Sequence, residues 1–395
     1  MNWLKQIAAL IGFNLRTLPA RKGSAAAAIF GIAGVVAVFV GVLAIGEGFR
    51  KVMTAAGSED TAVVLRGGAD SEMVSILMRE EVNIIASAPG VARDAGKPLV
   101  SPELFVIVNL PKKGTSSDAN VPLRGVEPAA FKVHEEVKII DGRPFAWGRN
   151  EIIVGRAAVE EFAGLELGKE LKLGTNVWTV VGIFEAKGSS SETEIWTDAA
   201  VLSPAYRRGN SFQSALVRLS SPGNFQQFKD ALTADPRLNV KVQRETEYYA
   251  EQSRVLRGII TGLALVISTL MGLGAIFGAL NTMYTAVSAR AREIATLEAI
   301  GFRASPVVIS VLAEAIVLAL LGGLIGAVGA YLAFDGYRAA TMNFQSFSAV
   351  AFAFDVNANL VLAAMVYALL MGLIGGIFPA IRAVRTPVSV ALRGQ

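Results

Sequence analysis

The chain has 395 residues, 53% of them hydrophobic and 18% charged, with a mean hydropathy of +0.48. That is too apolar for an ordinary soluble protein, in which about a quarter of the residues are charged. No cysteine is present, so disulfide staples and thiol chemistry are excluded. The net charge of +4 comes from basic flanks beside apolar stretches, not from a nucleic-acid-binding surface.

Residues 3–18, "WLKQIAALIGFNLRTL", put Trp3, Leu4, Ile7, Ile11, Leu15 and Leu18 at helical spacing, with Lys5, Asn14 and Arg16 mostly elsewhere. This predicts an amphipathic interfacial helix within 1–22, lying in the inner membrane interface or packed on the cytoplasmic surface of a partner. Pro19 breaks it. A first apolar stretch follows at 24–45, longer than the core of a secretory signal and without a convincing cleavage site, so a retained anchor over 23–46 is expected.

A polar domain of about 200 residues, 47–257, comes next and is large enough for its own core. "TAVVLR" (Thr61 to Arg66) reads as a strand. "SEMVSILMREEVNIIAS" reads as a helix capped by Ser71, and "ELFVIVNL" as a second strand. Late in the domain "SALVRL", "GNFQQFKDALTADP" and "NVKVQ" repeat the strand, helix, strand order. Two βαβ halves, about 58–110 and 212–245, thus flank a β-rich insert at about 118–210. Within the insert, "NEIIVG" and "ELKLGTNVWTVVGIFEA" alternate as strands, "EVKIIDGRPF" carries an Asp-Gly turn, and "EAKGSSSETE" reads as a mobile loop.

Three further apolar stretches, 259–280, 307–334 and 360–381, contain no Lys or Arg and predict spans at 258–282, 306–334 and 359–381. Between the second and third lies a loop at 283–305. Its residues Ile294, Leu297, Ala299 and Ile300 alternate with Arg290, Arg292, Glu293 and Glu298, and Gly301 and Pro306 are placed to end a short amphipathic helix. Such a helix can rest in the headgroups or fit a groove on a cytoplasmic partner. A short outer loop spans 335–358 and a basic tail 382–395. Lys and Arg collect before span one, between spans two and three and after span four, which puts both termini in the cytoplasm and 47–257 outside it.

Motifs for other chemistry are weak. "GLELGKEL" (Gly164 to Leu171) misses the spacing of a phosphate loop and lacks its Ser or Thr, so it reads as a turn. "GLGAIFG" lies inside a span. Gly258, Gly262, Gly274, Gly278, Gly322, Gly326, Gly372 and Gly376, at four-residue spacings, suit close helix packing. His134, the single histidine, reads as a surface residue in a turn-rich segment. Glu314 is the one acid inside a span, where burial is costly without a partner. An arginine of the 283–305 loop or Asn281 is the expected partner, as a structural hydrogen bond more than a proton relay.

The segment "NTMYTAVSARAREIATLEAIGFRASPVVISVLAEA" resembles the signature of MacB and FtsX type permeases, the membrane subunits of ATP-binding-cassette systems. The matching positions are Asn281, Arg290, Arg292, Glu293, Ile294, Leu297, Ala299, Gly301 and Glu314. "FPAIRAVRTPVSVALRG" is similar to the family's close, through Pro379, Ala380, Ala383, Pro387, Ala391, Leu392 and Arg393. "LRGVEPAAF" and "DGRPFAWGRNEIIVG" look like its outer domain.

The resemblance implies four transmembrane helices plus an extracytoplasmic α+β domain, porter-like, in a bacterial inner membrane. It implies a homodimer, or a heterodimer with a related permease, and a separate ATPase chain that binds ATP and Mg; this chain needs no cofactor of its own. Arg290, Arg292, Glu293, Ile294, Leu297, Glu298 and Gly301 would form the ATPase-coupling loop, with Glu314 and Asn281 as intramembrane polar residues. The implied activity is mechanotransmission for efflux of a drug, peptide or lipid, with a periplasmic adaptor and an outer-membrane channel as further partners. A lipoprotein-releasing permease and an FtsX-like regulator of a cell-wall hydrolase share this architecture, whereas a membrane enzyme lacks any supporting constellation.

Overall fold

A segment in hydrocarbon must satisfy its backbone polar groups internally, and a helix does so locally. The computed structural model describes residues 3–17, 22–55, 57–115, 117–300 and 303–385. Pro19, Gly301 and the close from Pro387 to Arg393 lie outside the described residues. The main helices are α1 (Trp3–Thr17), α2 (Lys22–Thr54), α3 (Arg79–Ser87), α4 (Phe225–Ala234), α5 (Glu245–Ala289), α6 (Ala291–Ala299), α7 (Ala304–Phe334) and α8 (Ala358–Arg385). Among the described residues α2, α5, α7 and α8 are long and apolar enough to cross a membrane. Two units emerge, one of Met1–Glu47, Ile259–Tyr337 and Phe354–Gln395, the other of Gly48–Gly258 and Arg338–Ala353.

In the membrane unit, half of the glycine pattern is consumed by packing. A Cβ at Gly326 would fall 2.4 Å from the Ala33 carbonyl oxygen, and one at Gly322 2.8 Å from that of Ile29, so α7 lies against α2 at backbone distance. Gly372 and Gly376 of α8 press equally close on Ala319 and Ala315 of α7. By contrast, Gly262, Gly274 and Gly278 of α5 face open space. Tyr367 of α8 donates its hydroxyl to the Ser268 carbonyl of α5 (2.5 Å). The amphipathic α1 buries Leu10 in a cluster with Met283, Val307, Val311 and Ala380, and Trp3 Nε1 donates to Ser305 Oγ (3.2 Å). Its apolar face therefore has a partner within this chain.

The second unit is built on a ten-stranded sheet. Its strands are β1 (Thr61–Arg66), β2 (Val100–Pro111), β3 (Asp118–Val126), β4 (Lys138–Gly142), β5 (Glu151–Gly155), β6 (Glu170–Leu173), β7 (Asn176–Glu185), β8 (Ile195–Asp198), β9 (Ser214–Arg218) and β10 (Val240–Arg244). The spatial order is β10-β1-β9-β2-β3-β8-β5-β7-β4, with β6 paired to β7. The first four strands in that order interleave the two βαβ halves, the arrangement of a split βαβ unit. The 12-residue β2 joins the pieces, pairing with β9 through its first residues and with β3 along the rest. A separate hairpin, β11 (Arg338–Asn343) and β12 (Ser348–Ala353), completes the unit where a plain loop was expected.

Several local expectations change. The helix predicted from Ser71 begins only at Arg79. Glu72–Val74 is a single 3-10 turn, and the Ser71 side chain makes no capping bond. The true cap is Glu81, whose Oε2 accepts from the Met78 N–H (2.7 Å). "EAKGSSSETE" is not a mobile loop. Ser191, Glu192, Thr193 and Glu194 are buried, and Glu192 Oε1 accepts from the Ala186 and Gly188 N–H groups (2.8 and 2.7 Å). His134 is buried as well, 3% exposed, contrary to the surface reading.

Candidate functional site

The 283–305 loop is folded around Arg290. Its N–H bonds to the Val287 carbonyl (3.1 Å) in a tightened last turn of α5, and its carbonyl accepts from Ile294 N–H (3.0 Å), the first such bond of α6. The side chain then gathers three elements. Nε pairs with Glu293 Oε2 (3.1 Å), NH1 lies 3.6 Å from Glu314 Oε2 on α7, and the guanidinium sits 5.8 Å from the Phe13 ring centre of α1. The Glu314 side chain is 4% exposed, where an unpaired carboxylate would be costly. The partner expected from the arginine-bearing loop is thus Arg290. Asn281 lies exposed on α5, with its carbonyl accepting from the Thr285 hydroxyl (2.9 Å).

The coupling candidates separate by face. Ile294 is buried and Leu297 half-buried, packing with Met283, Val307 and Ala383 and so anchoring α6 to its own unit. Arg292, Glu293 and Ile300 point outward, Ile300 at 69% exposure. Glu298 belongs to α6, and Gly301 lies outside the described residues. The exposed residues of α6 thus form a short polar and apolar edge on a helix held to its unit by Ile294 and Leu297.

The second unit holds a buried ionic centre that sequence reasoning missed. Arg124, on β3 and 4% exposed, extends Nε and NH2 to Glu194 (2.7 and 2.9 Å). NH1 reaches Glu72 and Glu103 (2.7 and 2.6 Å), and NH2 also reaches Glu72 (3.0 Å). This occupies the whole fork of guanidinium donors. His134 Nε2 donates to Glu103 (2.7 Å) and Nδ1 to Glu136 (3.2 Å). The outer lone pairs are filled by Ser214 on Glu72 (2.6 Å), Ser101 on Glu103 (2.8 Å) and Trp196 Nε1 on Glu194 (2.8 Å).

Burial alone would push the Glu103 carboxyl up, but the His134 and Arg124 charges outweigh it and hold it at about 2. Burial would likewise lower the His134 imidazole, yet Glu103 and Glu136 keep it well above its usual range, so both ring nitrogens carry protons. An arginine in the apolar strand "NVPLRGV" was the available sequence signal.

Residues 25–235 match the family model of the MacB-like periplasmic core domain, and residues 265–388 that of the FtsX-like permease C-terminal region. The macrolide export ATP-binding/permease protein MacB of Bdellovibrio bacteriovorus is 25% identical over 415 residues, which cover 96% of this chain and 61% of that protein. The pyoverdine export ATP-binding/permease protein PvdT of Pseudomonas entomophila is 27% identical over 400 residues, covering 93% of this chain and 56% of that protein. The chain thus spans roughly three fifths of the length of these relatives. The crystal structure of the periplasmic region of MacB from Actinobacillus actinomycetemcomitans aligns with 49% of this chain and 92% of that one, at 13% identity and a TM-score of 0.38.

Proposed function

This chain belongs to the MacB/FtsX-type permeases of ATP-binding-cassette transporters, and from that premise we propose that it transmits an ATP-driven movement from a cytoplasmic ATPase to a periplasmic domain. It is an exporter's permease subunit in an inner membrane, with the catalytic work of ATP hydrolysis assigned to the ATPase, which holds ATP and Mg. The termini are assigned to the cytoplasm because the basic residues flank the spans on that side.

The observation that carries the reading is the Arg290 to Glu314 link. A helix that merely rested in the headgroups would need no buried tether to a span. Here α6 presents Arg292 and Glu293 outward while Arg290 ties its start to α7 and α1. A push received on the exposed edge is delivered to α7 and not absorbed by a flexible loop. The chain acts as a dimer in this proposal, and a periplasmic adaptor with an outer-membrane channel would complete an export path. The relatives named for macrolide export and pyoverdine export support efflux of a substrate such as a drug, peptide or lipid.

The test is charge reversal at the exposed Arg292 in the chain co-purified with its ATPase. ATP hydrolysis should lose its stimulation by the permease while the melting temperature stays unchanged. Full stimulation in the Arg292→Glu variant would sink the assignment.

A further inference from the structure

The hairpin β11–β12 joins α7 to α8, and its strands pair in register from Arg338 with Ala353 to Asn343 with Ser348. Its anchors fall chiefly on the β-rich insert. Ala351 N–H donates to Thr193 Oγ1 (3.2 Å), Asn120 Nδ2 donates to the Phe347 carbonyl near the tip (2.8 Å), and Arg338 pairs with Glu160. Ala349 is buried in the apolar core that also holds Val121, Leu123, Ile152 and Ile195. The polar start of α5 engages the other half. Glu245 of α5 accepts from Ser58 N–H (3.0 Å), Tyr248 OH accepts from Glu72 N–H (3.3 Å), and Gln252 Nε2 donates to the Asp70 carbonyl (3.0 Å).

These two sets of anchors meet directly where Asn343 Nδ2 of the hairpin donates to Gln252 Oε1 of α5 (3.3 Å), and again through the side chain of Arg124. Thr193, which receives the hairpin, precedes Glu194, the bidentate partner of Arg124. Glu72, whose N–H donates to Tyr248 of α5, is bound at its carboxylate by Arg124. The geometry points to the hairpin as a drive rod by which the third and fourth spans move the insert, with the Asn343 to Gln252 contact and Arg124 as the joints where that input meets the one arriving through α5. The inference rests on the proposed mechanotransmission. A rod must be stiff and fixed at its far end, and a fully paired hairpin with hydrogen bonds at base, middle and tip meets both conditions, which a plain loop of the same length does not.

The test is hydrogen exchange on the full chain with its ATPase in lipid nanodiscs, with and without ATP and vanadate. In the unaltered protein the nucleotide should change exchange both in 288–300 and in β5, β7 and β8. Replacing 339–352 with a Gly-Ser linker of equal length should abolish the nucleotide-dependent change in the insert strands while leaving that in 288–300 and in β1. A hairpin that only stabilises the insert would instead raise exchange there with or without nucleotide and leave the difference intact, which overturns the inference, as does an insert that never responds in the unaltered protein. Absence of any response in 288–300 would overturn the coupling reading itself.

Should the linker variant fail to assemble, the chain's lack of native cysteine permits a clean disulfide between Thr193→Cys and Ala351→Cys. The crosslinked protein should keep the full nucleotide-dependent change, because rod and insert move together. Loss of that change on crosslinking would overturn the inference.

Discussion

Arg124 and Glu194 form a bidentate pair, Nε to Oε2 at 2.7 Å and NH2 to Oε1 at 2.9 Å, with both side chains under a tenth exposed. The two residues are seventy positions apart in sequence. Glu194 anchors the segment before β8, and Arg124 sits in the neighbouring β3, so the pair ties two strands of the insert together while Glu72 and Glu103 tie Arg124 to the flanking half. Arg124→Met leaves three buried carboxylates around an apolar side chain, at a cost of about 3–5 kcal/mol. For a unit of this size that corresponds to a melting temperature lower by roughly 10 °C. Arg124→Lys should recover only part of the loss, since one ammonium cannot match a planar fork held by three acids. Thermal unfolding of the full chain in detergent, followed by tryptophan fluorescence, to which the buried Trp178 and Trp196 contribute, checks both. A melting point within about 2 °C of the parent for Arg124→Met would refute the role.

The same centre sets a pH dependence. His134 has its folded pKa raised, so its stabilisation is complete below the usual imidazole value and is lost as pH climbs through the higher folded value. Glu103, held at about 2 against an ordinary 4.5, stabilises above about 4.5 and loses that contribution as pH falls toward 2. Stability should therefore decline as pH rises from about the ordinary imidazole value of 6.5 up to the raised folded value, and His134→Gln should flatten that decline while lowering the maximum below it. The measurement is melting temperature against pH from 4 to 10. Parallel alkaline limbs for parent and variant would assign the decline to another group.

Part of this was legible in the sequence and part was not, for physical reasons. Thr61 to Arg66, Ser214 to Leu219 and the four apolar runs carry their signal locally, in alternation or unbroken hydrophobicity, and β1, β9 and the spanning helices follow them closely. The helices overrun the runs because apolar length reports where hydrocarbon begins, whereas α5 stays helical through the polar residues from Glu245. The Arg290 to Glu314 pair was anticipated because Glu314 had few neighbours to choose from inside a span. Glu192, Glu194 and His134 were misread because polar composition says solvent unless the partner is known, and their partners stand on distant strands. The hairpin β11–β12 was missed for want of a turn signature, since its reversal at 344–347 is Phe-Gln-Ser-Phe, with Phe347 at φ 51°.

The link between Arg290 and Glu314 gives its own prediction. Glu314→Gln keeps the size of the side chain but leaves Arg290 facing a neutral amide, so the tether of α6 to α7 weakens. Stimulated ATP hydrolysis in the assembled complex should fall several-fold, with smaller change in basal hydrolysis by the ATPase alone. The pair Arg290→Met and Glu314→Met should restore folding, as matched apolar replacements of buried ion pairs do, without restoring stimulation. A double-mutant cycle on stimulated hydrolysis measures the coupling between the two residues. Strict additivity of the single effects would exclude a direct link.

The split glycine pattern can be tested residue by residue. At Gly326 a Cβ would meet the Ala33 carbonyl oxygen at 2.4 Å, and that atom is backbone of a packed helix, which cannot swing aside. Gly326→Leu must therefore force α7 off α2, an overpacking that costs about 1–3 kcal/mol or more. In a membrane this loss is not offset by hydrophobic collapse, because lipid tails solvate a leucine as well as a helix does. At Gly274 no atom stands within 4 Å of a Cβ, so Gly274→Leu should leave the fold intact and add slightly to helix propensity. The comparison is the fraction of each variant recovered as a monodisperse species from mild detergent, together with its melting temperature. Gly326→Leu should drop in both and Gly274→Leu in neither; equal behaviour of the two would mean that α7 and α2 do not meet at backbone distance.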